Sequence, residues 1–165
     1  METCIINSPL GFTKIVGDED GIAAVTVLND IKCSEEKSIE KITDIIPVEL
    51  EDCVIQLNEY FEGNRTKFDL KLNPQGTDFQ KKLWKELEKI PYGKTVSYLD
   101  LSKQLGNIKA IRAVASANGK NPIWIIVPCH RVIGNDASLT GYAGGLHRKK
   151  WLLDHESPYK QQTLF

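Results

Sequence analysis

The chain has 165 residues, of which 41% are hydrophobic and 26% are charged, a composition typical of a globular protein long enough to bury a core. No apolar run is long enough to cross a bilayer, and the N-terminus lacks a basic-then-apolar signal pattern, which predicts a cytoplasmic protein without membrane contact. The four cysteines show no C-x-x-C spacing, and all three histidines lie late in the sequence, far from three of the cysteines. We therefore expect free thiols and no bound metal.

The formal net charge of −1 conceals an uneven distribution along the chain. Residues 1–75 hold 7 Lys and Arg against 15 Asp and Glu, a net charge of −8, whereas residues 76–165 hold 14 against 7, a net charge of +7. The sign changes at the turn-forming residues 73–76 (Asn-Pro-Gln-Gly), which predicts two domains, 1–75 and 76–165. The basic second domain suits a polyanionic partner, although a solvated basic surface would carry the same charge.

The first domain is predicted to open with a β-hairpin. Residues 12–16 and 22–28 are rich in apolar and β-branched side chains and flank an acidic, glycine-bounded turn at residues 17–21. The highly charged residues 30–41 carry few apolar anchors, which predicts a loop or an exposed helix.

A helix and then a strand are predicted for the rest of this domain. Apolar residues recur at helical spacing up to Gly63, a residue type that commonly ends helices; they are Leu50, Val54, Leu57 and Phe61. Apolar and polar residues then alternate as in a half-buried strand, with the apolar positions at Phe68, Leu70 and Leu72.

The second domain is predicted to be mostly helical. Thr77 and Gln80 form a capping-box pattern at the start of a helix that ends at residues 91–93. Its predicted apolar stripe is Phe79, Leu83, Leu87 and Ile90. A last helix is predicted at residues 146–155.

A helix-turn-helix is predicted in the middle of this domain. Ser97 and Asp100 repeat the capping device for a helix that ends at residues 106–107. Residues 108–118 are rich in alanine and in other good helix formers. Two short helices across a tight, glycine-containing turn are typical of this motif.

A thiol and an imidazole follow the most apolar stretch of the chain. The β-branched run at residues 123–127 predicts a buried strand or extended segment that Pro128 ends. Cys129 and His130 come next, a pair that suits an activated nucleophile. A structural cysteine beside a surface histidine is the other interpretation of this dipeptide.

The residues around this pair carry a resemblance to a known family. Pro128-Cys129-His130-Arg131-Val132 resembles the active-site signature of the O6-alkylguanine-DNA alkyltransferases, also called methylated-DNA–protein-cysteine methyltransferases. The similarity extends over residues 77–157 at matching spacing. The further blocks are 91–98 (PYGKTVSY), 112–114 (RAV), 119–122 (GKNP), 141–146 (GYAGGL) and 150–156 (KWLLDHE).

The resemblance implies DNA repair by direct reversal. The protein would flip O6-alkylguanine out of double-stranded DNA and transfer the alkyl group to its own cysteine. This is the activity of a methylated-DNA–[protein]-cysteine S-methyltransferase. It requires no cofactor, and because the product is a thioether, each molecule would act once. The sequence leaves open whether O4-alkylthymine is also a substrate and whether methyl or larger alkyl groups are preferred. The family resemblance also leads us to expect a monomer.

The resemblance further implies the roles of five residues at the reaction centre. Cys129 would be the nucleophile, and His130 would take its proton through a water molecule. Glu156 would orient His130 and stabilise its imidazolium. Asn121 would tie this network to the helix-turn-helix, and Tyr98 would donate a proton to guanine N3.

Other matching positions are implied to bind DNA. Arg112 would fill the stack that the flipped base leaves, and the small residues Ala113 and Ala115 would let their helix approach the minor groove closely. The charge of the basic half, rather than a matched motif, leads us to expect phosphate contacts from residues such as Lys94, Lys109 and Lys120. The implied base pocket is Val132, Tyr142 and Ala143.

Two positions depart from the family pattern. Ala143 stands where a serine is common, so a side-chain hydroxyl near guanine O6 is lost. Ile111 stands where a smaller residue is common. We expect these departures to affect base selectivity and the fit of the helix in the groove.

The fold class implied is α/β in two domains. The first would be a ribonuclease-H-like small sheet with a helix, and the second a mostly helical domain with a winged-helix-like helix-turn-helix. Three other functions are weighed against repair. A non-catalytic lesion-binding protein would lack the cysteine, a helix-turn-helix regulator would need a dimer interface or an effector pocket, and a thiol hydrolase would have no use for Arg112.

Overall fold

The computed structural model describes residues 1–28, 42–134 and 141–158. The chain divides into two compact units, Met1–Gln75 and Gly76–Phe165. The loop or exposed helix predicted at residues 30–41 lies outside the described residues.

A three-stranded antiparallel sheet forms the first part of unit 1. Its strands are β1 (Glu2–Ser8), β2 (Gly11–Asp18) and β3 (Gly21–Val27), in the order β1-β2-β3. The predicted hairpin is confirmed as β2 and β3, whereas β1 was not predicted. Alternate residues such as Ile15 and Val25 are fully buried, because successive side chains of a strand point to opposite faces.

The predicted helix after Pro47 is confirmed as α1 (Glu51–Phe61), which a short 3₁₀ turn at Val48–Leu50 precedes. Its buried face contains Cys53, Leu57 and Tyr60 rather than Val54 and Phe61. Gly63 follows the helix with a φ of 83°, and its N–H bonds to the carbonyl of Tyr60. This left-handed residue ends the helix as expected.

The strand predicted at Phe68, Leu70 and Leu72 is wrong. The segment makes one isolated parallel bridge, Ile22 to Leu72, in which the N–H of Ile22 bonds to Lys71 O at 2.8 Å. The side chain of Gln56 holds the segment instead: Nε2 donates to Asp69 O at 3.0 Å, and Oε1 accepts from Asp69 N at 2.8 Å. The segment is thus held by backbone bonds to a single residue of β3, Ile22, and by a side-chain amide from α1.

Unit 2 begins with α2 (Asp78–Leu87), and the predicted capping box of Thr77 and Gln80 is present. Leu83, Trp84 and Leu87 form its buried face, and Trp84 Nε1 donates to Ala117 O at 2.9 Å. Phe79, predicted in the apolar stripe, is 39% exposed. Phe79 lies in the first turn of α2, two residues after the capping residue Thr77. The contact with the helix that contains Ala117 is made by the indole of Trp84 instead.

The predicted helix-turn-helix is confirmed as α3 (Tyr98–Gln104) and α4 (Ile111–Gly119), and the last helix as α5 (Leu146–Glu156). Ser97 Oγ caps α3 by accepting from Asp100 N at 3.0 Å. Two short strands, β4 (Val96–Ser97) and β5 (Val132–Ile133), pair in parallel. This pairing fixes the start of α3 beside the segment that follows Cys129.

The predicted α/β class is confirmed, with a small sheet and a helix in the first unit and mostly helix in the second. In the part of the chain that the structure describes, no helix is both long and apolar enough to cross a membrane.

Candidate active site

The strand or extended segment predicted at residues 123–127 is wrong, although these residues are buried as expected. The chain turns instead, with hydrogen bonds from Ile126 N to Trp124 O (2.8 Å) and from Val127 N to Ile123 O (3.1 Å). Ile125 has a φ of 73°, a left-handed conformation that is costly for a β-branched residue. Such strain persists only where the surroundings hold it.

Asn121 holds this turn in place. Its buried amide donates from Nδ2 to Ile123 O (3.1 Å) and Val127 O (2.8 Å), and its Oδ1 accepts from Ile123 N (3.0 Å). The neighbouring Asn118, near the end of α4, donates to Cys129 O at 3.3 Å. Two side-chain amides therefore connect the end of the helix-turn-helix to the backbone at the thiol.

Cys129 begins a short 3₁₀ turn, Cys129–Arg131, and its side chain is only 4% exposed. Burial raises the pKa of the thiol to about 11, although a hydrogen bond from Asn121 and the positive charge of Lys149 lower it. The thiol is therefore protonated at rest. It becomes a nucleophile only if a neighbouring group accepts its proton.

His130 is fully buried and lies beside a carboxylate. Its Nε2 is 2.7 Å from Glu156 Oε2, while Nδ1 has no hydrogen-bond partner among the described residues. Burial lowers the pKa of His130, Glu156 raises it, and the charges of Arg131 and Lys149 lower it further. The short contact to a carboxylate assigns the proton to Nε2 and leaves a lone pair on Nδ1.

Glu156 is the last residue of α5 and is 3% exposed. Burial alone would raise the pKa of this carboxyl, but the hydrogen bonds and charges of His130 and Arg131 outweigh burial and hold the pKa well below its usual range. Glu156 is therefore a permanent buried anion at the end of the helix. The two neighbours satisfy both of its oxygens.

A cavity of about 550 Å³ lies next to this network in unit 2. Its wall combines the first residue of α3, one face of α4 from its first to its last residue, and residues 141–143 before α5: Tyr98, Ile111, Arg112, Ala115, Gly119, Gly141, Tyr142 and Ala143. Five of these residues are among the predicted site residues. Ile111, noted for its departure from the family pattern, lies in the wall as well.

Tyr142 connects the cavity to the thiol. Burial first, and then the nearby charge of Cys129, raise the pKa of this phenol well above its usual value. The ring lies 5.6 Å from that of Trp124, centroid to centroid. A Cβ on Gly144 would meet the Tyr142 ring at 2.7 Å and Trp124 at 2.9 Å, so only glycine lets the loop pass this close to both rings.

The other predicted residues are distributed as follows. Val132 is fully buried, and its carbonyl accepts from Lys149 Nζ at 2.6 Å. Ala113 is exposed on α4 but does not line the cavity. The three lysines predicted to meet phosphates are all exposed: Lys94, Lys109 and Lys120.

Sequence reasoning assigned no role to three buried cationic residues. Arg131 donates twice to Glu156, Arg148 donates to Gly144 O at 3.0 Å, and Lys149 bonds to Val132 O. Burial lowers the pKa of Lys149 to about 8. Arg131 lies within the signature at residues 128–132, which marks it as part of the site. For Arg148 and Lys149 the signal is the run of three basic residues at 148–150 on one helix, of which only Lys150 is exposed.

Two family models match the chain. One, described as the ribonuclease-like domain of 6-O-methylguanine DNA methyltransferase, matches residues 3–74, and the other, described as its DNA-binding domain, matches residues 78–158. A methylated-DNA–protein-cysteine methyltransferase of Methanosarcina acetivorans is 45% identical over 158 residues, which is 94% of this chain and 98% of that protein. One of Mycobacterium tuberculosis is 46% identical over 92% of this chain and 89% of that protein.

Solved structures agree with these matches. The crystal structure of the O6-methylguanine methyltransferase of Mycobacterium tuberculosis superposes with a TM-score of 0.80 at 41% identity, covering 99% of both chains. A structure of the Mycobacterium tuberculosis protein in complex with DNA gives the same TM-score and identity over 98% of both chains.

Proposed function

The chain belongs to the 6-O-methylguanine DNA methyltransferase family, and on that basis we propose that it repairs DNA by direct reversal. It transfers the alkyl group of O6-alkylguanine in double-stranded DNA to the thiol of Cys129. The observation that carries this proposal is the pairing of buried His130 and Glu156 at 2.7 Å directly after a buried thiol, beside a cavity walled by the helix-turn-helix.

The transfer is a single displacement. The sulfur of Cys129 attacks the alkyl carbon, a new S–C bond forms, and the bond from that carbon to guanine O6 breaks. The electron pair of the broken bond stays on guanine, which takes up one proton. Cys129 loses one proton in the same reaction, so the products are a thioether and neutral guanine.

His130 receives the thiol proton. Because Nε2 is committed to Glu156, Nδ1 is the basic atom, and a bridging water would carry the proton from Cys129 to it, as the family resemblance implies. Glu156, held ionised, stabilises the imidazolium as it forms. Asn121 supports this step by hydrogen-bonding the turn before Cys129 and by lowering the pKa of the thiol.

Tyr98 is proposed to protonate guanine N3 as the base leaves. Its place in the cavity wall supports this role. Val132, Tyr142 and Ala143 are proposed to surround the flipped guanine, and a cavity of about 550 Å³ is large enough for a nucleobase with a small alkyl group.

Arg112 is proposed to enter the DNA stack when the base leaves it. The residue is exposed near the N-terminus of α4 and also lines the cavity, so one side chain borders both the DNA-facing surface and the base pocket. Ala113 and Ala115 are also exposed on α4 and would permit close approach to the minor groove. Lys94, Lys109 and Lys120 are exposed and suit phosphate contacts.

A cytoplasmic location is part of the proposal. The cysteines Cys4, Cys53 and Cys129 are free thiols, which suits a reducing compartment.

A non-catalytic lesion-binding protein of the same fold is the second candidate, and the relay of Cys129, His130 and Glu156 argues against it, because binding alone requires neither a thiol nor a base. Intact-mass spectrometry after mixing the protein with a duplex that contains O6-methylguanine separates the two functions. We expect a mass gain of one methyl group, located on Cys129 by peptide mapping. Tight binding of the duplex without any mass gain would identify a lesion-binding protein.

A further inference from the structure

Arg131 makes more contacts around Glu156 than a simple ion pair requires. Its Nε donates to Glu156 Oε1 at 2.8 Å and its Nη2 to Oε2 at 3.0 Å. Its Nη1 donates to Ile90 O at 2.7 Å, and its guanidinium carbon lies 5.8 Å from the centre of the Tyr92 ring. The side chain is 6% exposed, so the guanidinium is fixed by three carbonyl or carboxylate oxygens and one aromatic face.

This geometry fixes the plane of the Glu156 carboxylate. A guanidinium that binds both oxygens of a carboxylate holds the two groups coplanar. Oε2 then points one way only, and it is the atom that meets His130 Nε2 at 2.7 Å. The orientation of the His130 ring, and with it the direction of Nδ1, therefore depends on Arg131 through Glu156.

The same arrangement controls the charge of His130. The titratable and charged groups that face this imidazole are Glu156 and Lys149 from α5, Arg131 from its own turn and the adjacent Cys129. A guanidinium is always charged in proteins, so Arg131 already balances the single negative charge of Glu156. A proton on His130 would give this buried cluster an uncompensated positive charge close to Lys149.

We propose that Arg131 is a positioning residue of the proton relay: by fixing Glu156 and balancing its charge, it keeps His130 neutral before the reaction, with a free lone pair on Nδ1 for the Cys129 proton. Without Arg131, the charge of Glu156 would act on His130 alone, and His130 would already hold a proton near neutral pH. This proposal rests on the proposed function, since the relay has a purpose only if Cys129 transfers its proton.

A purely structural role is the competing explanation, because Arg131 also ties α5 to Ile90 after α2. The pH dependence of alkyl transfer distinguishes the two. Arg131→Met removes the charge, Arg131→Lys keeps it and loses the two-point contact, and Lys150→Met is a matched control. Lys150 pairs with Asp154 at 2.6 Å on the exposed side of the same helix.

Single-turnover rates on an O6-methylguanine duplex are measured from pH 8 to pH 5.5 for the wild type and the three variants. A charge at this distance typically moves a pKa by about 1–3 units, so loss of the Arg131 charge should raise the pKa of His130. The transfer rate of Arg131→Met should therefore begin to fall at a higher pH than that of the wild type. We expect its rate to fall at least about tenfold more than the wild-type rate between pH 8 and pH 6. Arg131→Lys should be slower at every pH but keep the wild-type pH dependence, and Lys150→Met should match the wild type.

An equal fractional loss of rate at every pH in Arg131→Met would overturn the proposal and leave a structural role for Arg131.

A second measurement needs no variant. In wild-type protein labelled with ¹⁵N-histidine, the ring signals of His130 should show the neutral form protonated at Nε2 from pH 8 to below pH 6.5. An imidazolium at pH 7 would overturn the proposal even if Arg131→Met did not fold. Absence of Cys129 alkylation in the wild type at pH 8 would instead contradict the proposed function, whatever the histidine signals show.

Discussion

The two units both bury cysteines, but they surround them differently. In unit 1, Cys4 and Cys53 are each 1% exposed. Burial raises their pKa values to about 11 and about 12, and the charge of Cys4 adds to the effect on Cys53. In unit 2, burial raises the pKa of Cys129 in the same way, but Asn121 and Lys149 act against it. Burial is therefore common to all three thiols, and only Cys129 has polar neighbours that lower its pKa.

Each unit also contains a buried side-chain amide that binds the backbone of an irregular segment. Gln56 in unit 1 and Asn121 in unit 2 are buried amides that hold an irregular segment by hydrogen bonds to its backbone. The segment that Gln56 holds carries no reactive group, whereas the one that Asn121 holds leads directly to Cys129. The same local interaction therefore involves no proposed site residue in one unit and lies next to the proposed nucleophile in the other.

Cys129→Ser should have the largest effect of the variants that compare the three thiols. Transfer should be abolished while DNA binding is kept, because a hydroxyl at its ordinary pKa is far too weak a nucleophile. Cys4→Ser and Cys53→Ser should still transfer the alkyl group. Intact-mass spectrometry with an O6-methylguanine duplex measures all three. Methylation of Cys4 or Cys53, or transfer by Cys129→Ser near the wild-type rate, would contradict the assignment.

Asn121→Ala and Gln56→Ala test the role of the two buried amides that hydrogen-bond irregular backbone segments. Each buried backbone group left unpaired costs about 1–3 kcal/mol, so both variants should unfold more easily in urea. Transfer should fall only in Asn121→Ala, by about a hundredfold, since misplacing a reacting group by about 1 Å can cost that much. Equal transfer rates in the two variants at a temperature where both are folded would mean that the turn before Cys129 is held by other contacts.

The salt dependence of DNA affinity tests whether the basic unit 2, unlike the acidic unit 1, binds phosphates. If Lys94, Lys109 and Lys120 neutralise three phosphates, affinity for a DNA duplex should fall about 40-fold between 50 and 200 mM salt. Lys109→Ala should lower the slope of log affinity against log salt by about one. Lys67→Ala, an exposed lysine of unit 1, should leave it unchanged. A slope near zero in the wild type would show that the basic half does not bind phosphates.

Arg112→Ala separates base flipping from chemistry within unit 2. Because only a duplex requires a base to be held out of the stack, at a cost of a few kcal/mol, repair of a duplex should slow by about tenfold or more. Reaction with free O6-benzylguanine should change little. Lys85→Ala, an exposed cation on α2, serves as the control. Equal losses on both substrates would indicate that Arg112 supports the fold rather than the flipped state.

Alkylation of Cys129 should lower the stability of unit 2 only, and this is the smallest of the expected effects. A methyl group on Cys129 enlarges a side chain that is 4% exposed, and overpacking of this kind costs about 1–3 kcal/mol. For a unit of this size, each kcal/mol lowers the melting temperature by about 4–8 °C. Thermal melts of free, methylated and benzylated protein should descend in that order. Adducts that melt at or above the free protein would mean that the cavity accommodates the group without strain.

Local signals in the sequence were sufficient for the helices. The capping box of Thr77 and Gln80, the serine cap of α3 and the glycine after α1 each depend on residues within one or two turns, so their effect can be predicted from neighbours alone. The motif resemblance likewise identified His130 and Glu156 as partners, and the structure brings them to 2.7 Å. Their roles in the reaction stay predictions that the experiments above test.

Tertiary structure decided what those local signals could not. The β-branched run at residues 123–127 has the composition of a strand, but it turns because the Asn121 amide satisfies its backbone from outside the run. Phe79 and Val54 have the right spacing for a core, yet Trp84 and Cys53 are the buried residues. Arg131 is 25 residues from Glu156 in sequence, and only folding brings a guanidinium to that carboxylate. Backbone propensity depends on near neighbours, whereas the charge and direction of a buried side chain depend on groups that the sequence places far away.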